Sequence, residues 1–180
     1  MEKDVILNCD NLLFRLPTHD DVDRLVELKN NKVAARLLGG NTPTYTKEWI
    51  SKWVDAHNAN PEELLLVVVD KDRDVIIGHV GLYDIDSIAG KTEFGILLGD
   101  NESRGKGYGT KCTMTMVNYA FESLKLHKVT AEVLEDNKAS EAMFKKCGFS
   151  VDGILRDHVF KNDKYYNVLA MSILCCDNKA

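Results

Sequence analysis

The chain has no purely apolar run longer than Leu64 to Val69, far short of the roughly 20 residues a helix needs to cross a bilayer. Its opening residues, Met1-Glu2-Lys3-Asp4, lack a basic segment followed by an apolar one, so neither a secretory leader nor a membrane partner is expected. There is no Cys-x-x-Cys pair and no histidine at metal-ligand spacing. The five cysteines, Cys9, Cys112, Cys147, Cys175 and Cys176, are odd in number, which suits free thiols in a reducing compartment and no bound metal. A basic excess is missing as well. The net charge of −5 argues against a nucleic-acid partner, whose phosphates demand a basic face. Repeats, linkers and low-complexity segments are absent. With 180 residues and 44% hydrophobic content, the chain can bury one substantial core and not two, so a single cytoplasmic domain over 1–180 is expected.

What is present is a sequence of alternating apolar patterns. Residues 5–16 read as a strand with a break near Asn8 to Asn11, and Pro17 ends it. Thr18 caps a helix to about Lys29, striped by Val22, Leu25, Val26 and Leu28. A short helical turn over 33–38 stops at Gly39-Gly40. Thr46 caps another helix, where Trp49, Ile50, Trp53 and Val54 fall at spacings of three and four and read as core or groove wall. Strands follow over 64–70 and 75–84, with Gly78 and Gly81 marking a bend, and then over 92–99. A helix over 107–124, a strand over 129–134, a helix over 137–146 stopped by Gly148, and a hairpin of 149–160 with 165–174 complete the chain. That order implies an α/β (α+β) architecture, a mixed sheet with helices on both faces.

Between the 92–99 strand and its helix lies Arg104-Gly105-Lys106-Gly107-Tyr108-Gly109-Thr110-Lys111. A strand feeding a glycine-rich turn and a helix leaves main-chain N–H groups pointing outward, with the positive end of the helix dipole behind them. Such a place binds phosphate, and Arg104 and Lys106 add charge, so a pyrophosphate or similar group is the predicted ligand. The alternative is a surface turn with a helix cap. A nucleotide-hydrolase loop needs Lys and then Ser or Thr after its last glycine, whereas Thr110 and then Lys111 follow Gly109. The dinucleotide fingerprint needs a glycine where Thr110 stands.

Arg-x-x-Gly-x-Gly over Arg104, Gly107 and Gly109, after a strand carrying Glu93 and Gly95, resembles the acetyl-CoA pyrophosphate loop of the GNAT N-acetyltransferases. A second signature supports the resemblance: Asn137-x-x-Ser140-x-x-Met143-Phe144-x-x-Cys147-Gly148-Phe149. Leu155-Arg156-Asp157-His158-Val159-Phe160 and Lys164-Tyr165-Tyr166 resemble the RimJ/RimL-type branch, whose relatives acetylate polyamines or nucleotide-linked amino sugars. The resemblance covers nearly the whole chain. It implies a mostly antiparallel sheet of about seven strands, split in a V between the fourth (92–99) and the fifth (129–134).

It also implies roles. Acetyl passes directly from acetyl-CoA to an amine, which requires alignment of two reactants and management of two protons. The pantetheine arm would lie along Ile96, Leu97 and Leu98, bonded as an added strand would be. The diphosphate would take Arg104, Gly105, Lys106, Gly107, Tyr108, Gly109 and Thr110, while Asn137, Ser140 and Phe144 complete the cofactor site. Many relatives carry a tyrosine acid where this chain has Phe144, so Ser140 becomes the acid candidate, or else the thiolate leaves without one. Helix capping is the plain alternative for both Asn137 and Ser140. Glu93 is the candidate base, with a solvated strand-end charge as the alternative. Tyr83, Glu93, Asp157, His158 and Tyr165 are candidates for the acceptor, which is either a small-molecule primary amine or a protein amino terminus. An acidic role for Asn167, where relatives often have Asp, is not available. Cys147 reads as small apolar packing. A homodimer is compatible with all of this. A non-catalytic acetyl-CoA-binding regulator or scaffold is the rival reading that Phe144 motivates.

Overall fold

Asp10 takes a left-handed backbone, φ 50°, which short polar side chains tolerate better than branched ones. The first apolar run therefore folds back on itself. Instead of one interrupted strand there is a hairpin, β1 (Ile6–Cys9) with β2 (Leu12–Arg15). This raises the sheet from the expected seven strands to eight.

In the computed structural model, which describes residues 6–37, 44–103 and 105–177, the remaining strands are β3 (Leu64–Asp70), β4 (Val75–Asp86), β5 (Lys91–Leu98), β6 (Lys128–Leu134), β7 (Ser150–Lys161) and β8 (Lys164–Leu174). Their order across the sheet is β1-β2-β3-β4-β5-β6-β8-β7. All neighbours are antiparallel except β5 and β6. The helices are α1 (Val22–Lys29), α2 (Lys32–Leu37), α3 (Lys47–Ala59), α4 (Tyr108–Asn118) and α5 (Lys138–Lys146). A 3-10 turn at His19–Asp21 takes the place of the expected first turn of α1, and a π-turn at Tyr119–Ser123 ends the helix expected to run to 124. The glycine stop and loop at 39–43 lie outside the described residues.

Helices cover both faces. On one, Val22, Leu25 and Leu28 of α1 and Ile50 and Val54 of α3 pack on Val67, Val69, Ile76 and Leu97. On the other, Cys112, Met116 and Val117 of α4 and Phe144 of α5 pack on Leu66, Val68, Ile77 and Val80. Being covered twice, β3 is apolar from Leu64 to Val69 and buried at every position, as suits a central strand. Trp49, expected in the core or a groove wall, lies outside the core. It is 45% exposed and stacks on Trp53 with centroids 6.4 Å apart, so only Ile50 and Val54 of the α3 stripe enter the core. No helix among the described residues is long and apolar enough to cross a membrane.

The bend expected at Gly78 is a β-bulge. Pairing steps from Val69–Ile76 to Val68–Gly78, leaving Ile77 as the extra residue. After it the alternation of β4 is reversed, so His79 and Tyr83 fall on the α1/α3 face while Val80 and Leu82 join the α4/α5 core. A side chain at Gly78 has no room, since its Cβ would stand 2.0 Å from the carbonyl oxygen of Leu97 and 2.9 Å from Leu98 Cα. Backbone atoms cannot step aside as a side-chain tip can. Gly78→Ala is expected to cost about 3 kcal/mol or more, lowering Tm by roughly 6–12 °C in thermal denaturation. An unchanged Tm would contradict the bulge geometry.

Candidate active site

The parallel pair β5–β6 is short. Lys91, Thr92 and Glu93 pair with Lys128, Val129 and Thr130, and no pairing continues beyond them. This is the expected split. Immediately past the last paired residue stands Phe94, whose ring meets Phe144 of α5 edge-on at 6.1 Å. Phe144 meets Phe149 in turn at 5.0 Å. A cleft of about 490 Å³ opens where the strands part. Its walls are Glu93 to Leu98 of β5, Glu132 to Leu134 of β6, Asn137, Ser140, Met143 and Phe144 of α5, and Gly109 of α4. Ala34 and the β7 residues His158 and Val159 close it. Every second residue of the unpaired part of β5 directs its N–H and C=O away from β4, which offers an extended ligand the edge of a strand.

The glycine turn opens beside this cleft. Gly105 and Gly107 have φ of 73° and 74°, values that favour glycine. A Cβ at either position would meet nothing within 4 Å, so the turn faces open space. Gly107 is the N-cap of α4 and has no side chain to cap it with. The helix therefore presents its first N–H groups and positive dipole end to that space, which fits a diphosphate. Gly109 serves the packing instead. Its Cβ would come within 2.6 Å of Met143 Sδ, so glycine there lets α4 and α5 approach. The Tyr108 side chain turns inward, 7% exposed, and donates its hydroxyl to Asp70 at 3.2 Å. Lys106 Nζ lies 5.8 Å from the centre of that ring. Arg104 lies outside the described residues.

On α5, Asn137 is the N-cap, its Oδ1 accepting from Ser140 N–H at 3.2 Å. Both residues also line the cleft, so capping and a cofactor contact are compatible. Cys147 is buried, its thiol pushed up in pKa by that burial and 3.8 Å from the Thr110 carbonyl. That is packing.

The other mouth of the cleft, on the α1/α3 face, is acidic. Burial raises the Glu93 carboxyl above its ordinary range, and the nearby Glu132 and Asp84 raise it further. His158 Nε2 is 3.9 Å from Glu132. Tyr83, paired across β4–β5 with Glu93, lays its ring over two glycines. A Cβ at Gly81 would be 2.3 Å from it and one at Gly95 2.9 Å. Burial, with Glu63 and Glu93, pushes the Tyr83 phenol up, so it stays protonated and can donate a hydrogen bond.

Of the sequence candidates, the cleft thus gathers Glu93, Ile96, Leu97, Leu98, Gly109, Asn137, Ser140, Phe144 and His158. Asp157 sits at a β7 bulge, with its N–H given to Asn167 Oδ1 at 2.9 Å. Asn167 donates to Glu135 at 2.8 Å, a structural use of the position. Tyr165 is 58% exposed and packs on Phe160, away from the cleft lining. Two residues of this region were not among the sequence candidates. Glu132 lines the cleft, and its signal was strand alternation, which puts it on the face of Thr130, the partner of Glu93. Lys29 lies 4.1 Å from the Trp53 ring centre, and burial lowers its pKa to about 8.

The family model described as "Acetyltransferase (GNAT) domain" matches residues 11–150. Spermidine N(1)-acetyltransferase of Vibrio cholerae is 32% identical over 151 residues, covering 84% of this chain and 86% of that protein. An uncharacterized N-acetyltransferase, p20 of Bacillus licheniformis, is 31% identical over 107 residues, and the match spans only 60% of its length. Among solved structures, spermidine N-acetyltransferase from Vibrio cholerae in complex with CoA and spermine superposes with a TM-score of 0.84 at 26% identity. That superposition covers 94% of this chain and 98% of the other. A GNAT-family acetyltransferase from Bacillus anthracis shares the fold, with a TM-score of 0.82 at 17% identity, over 94% and 98% of the two chains.

A raised carboxyl pKa means that the folded protein holds the Glu93 proton more tightly than the unfolded chain does. Its stabilising effect is therefore present at low pH and lost as pH rises through the folded value. Carboxyl NMR is expected to place the Glu93 midpoint above that of free glutamate, and Glu132→Gln should lower it by removing a like charge. A midpoint at or below that of free glutamate would contradict the electrostatics of this face.

Proposed function

The chain belongs to the GNAT family of acetyl-CoA-dependent N-acetyltransferases, and on that premise we propose that its acceptor is a primary amine of a small polycation of the polyamine class. The observation that carries this reading is the pairing of Glu93 and Glu132 in the cleft lining, with the Asp84 charge near enough to act on Glu93. An amine that is cationic along its length gains from that field. A nucleotide-linked amino sugar carries phosphates that the same carboxylates repel. The match to spermidine acetyltransferases supports the same choice.

When bound, acetyl-CoA supplies a thioester whose carbonyl carbon forms the new C–N bond as the C–S bond breaks and CoA thiolate departs. The chain's residues do the rest. N–H groups on the free edge of β5 hold the carbonyl oxygen and stabilise the negative charge it gains. The open glycine turn and the start of α4 grip the diphosphate, and Asn137 holds the arm. Glu93 takes the proton that the ammonium must lose, and its raised pKa brings it closer to the amine it must deprotonate. Tyr83 orients the acceptor over Gly81 and Gly95. Phe144, sealed between Phe94 and Phe149, has no proton to give, and Ser140 is the hydroxyl on the same helix face, within the cleft.

Thiol release measured against an amine panel tests the reading. Spermidine or spermine should be turned over at least about tenfold faster, by kcat/KM, than a neutral amine, a peptide amino terminus or a nucleotide-linked amino sugar. Glu93→Gln and Ser140→Ala should each lower turnover by more than about tenfold. Near-normal rates would remove those residues from the mechanism. Binding of acetyl-CoA with no turnover on any amine would favour the scaffold reading instead.

A further inference from the structure

The glycine turn is open to solvent, yet its grip on a diphosphate requires a fixed backbone. Arg73, in the turn between β3 and β4, lies more than thirty positions upstream of Tyr108, but all of its hydrogen bonds among the described residues serve the flanks of that turn. Its Nη2 donates to Asp100 Oδ2 and to Ser103 Oγ, each at 2.8 Å. Nη1 reaches Glu102 at 3.1 Å and Nε reaches Asp70 at 3.0 Å. Ser103 donates onward to Asp100 at 2.7 Å. Asp70 in turn accepts the Tyr108 hydroxyl, which itself accepts from Asn11 at 2.9 Å. One guanidinium thus reaches both ends of the turn, directly at Ser103 and through Asp70 at Tyr108.

The surroundings make the arrangement rigid. Asp70 is 1% and Ser103 4% exposed, so neither has water to fall back on, and removal of Arg73 takes from the buried Asp70 carboxylate the cation that balances it. The carbonyl of the bulge residue Ile77 accepts from Gly99 and Asp100 N–H at 3.1 and 3.3 Å. Arg24 binds Asp100 at 2.9 Å from the α1 side. Within this frame lie Gly105 and Gly107, whose left-handed backbone and open surroundings leave them free to meet the ligand.

We propose that Arg73 is a positioning residue for diphosphate recognition, acting through Asp100, Ser103 and the Asp70–Tyr108 pair to hold the glycine turn in its ligand-ready shape. The proposal rests on the acetyl-CoA reading of the cleft and deepens it. Arg73 touches no reacting atom in this scheme. Its loss should appear in affinity for the diphosphate-bearing cofactor and leave the chemical step alone. Lysine, whose three donors share one nitrogen, cannot hold Asp70, Asp100 and Ser103 together as the planar fork does.

The test compares acetyl-CoA with S-acetylpantetheine, a thioester that lacks the diphosphate. Arg73→Met should raise KM for acetyl-CoA at least about tenfold, with kcat at saturation and kcat/KM for S-acetylpantetheine within about twofold of the unaltered protein. Arg73→Lys should fall between. Tyr108→Phe, which deletes one hydroxyl without a cavity, should raise the acetyl-CoA KM about threefold and serves if Arg73→Met does not fold. An unchanged acetyl-CoA KM in the variants that fold, or an equal loss with S-acetylpantetheine, would overturn the proposal. Failure of the unaltered protein to bind acetyl-CoA at all would instead overturn the functional reading beneath it.

Discussion

Everything in the site depends on the shortness of one strand pairing. β5 and β6 hold together over Lys91–Glu93 and Lys128–Thr130 and then separate. Parallel pairing costs nothing to end early only if the freed backbone groups find another partner, in protein, water or ligand. The two strands are otherwise fully tied, β5 to β4 and β6 to β8 along their lengths. The sheet cannot relax to close the gap without breaking those ladders. It therefore keeps a permanent opening between its faces, with α4 and α5 guarding one side and the acidic residues on the other.

That separation assigns opposite chemistry to the two mouths. The α4/α5 side collects an open helix N-terminus and two left-handed glycines, which suit an anion. The α1/α3 side collects Glu93 and Glu132, which suit a cation; burial, and then repulsion from Glu132, raises the proton affinity of Glu93. The proposed function has the two substrates meet at the fork, where Glu93, the last paired residue of β5, is followed directly by the free edge. A bulge at Ile77 contributes twice: it turns Tyr83 onto the α1/α3 face and aims a carbonyl at the entry to the glycine turn.

Much of this could be read in advance because its signals are local. The buried run at β3, the alternation in β6, the Asn137 cap and the spacing of Gly105, Gly107 and Gly109 each sit within a short window. The misses have physical reasons. The β1–β2 turn depends on Asp10 taking a left-handed backbone, a choice that Asn8 to Asn11 permits but does not force. Trp49 has the spacing of a core residue, yet α3 is amphipathic over a narrower stripe than that spacing suggests. Glu132 becomes a site residue only when the register of β5 with β6 is known. Arg73 has no periodicity to announce it, because its partners lie across the sheet turn from it. Its contacts arise from tertiary folding alone.

The central claim is that the split between β5 and β6 and the glycine turn together form one cofactor site. Hydrogen exchange of backbone amides, with and without CoA, tests it most directly. The account predicts slowed exchange confined to the free edge of β5 at Gly95 to Leu98 and to the turn and first residues of α4 at Gly105 to Lys111, with β3 and β4 unaffected. CoA binding that leaves both stretches unprotected, or that protects a different surface, would contradict it.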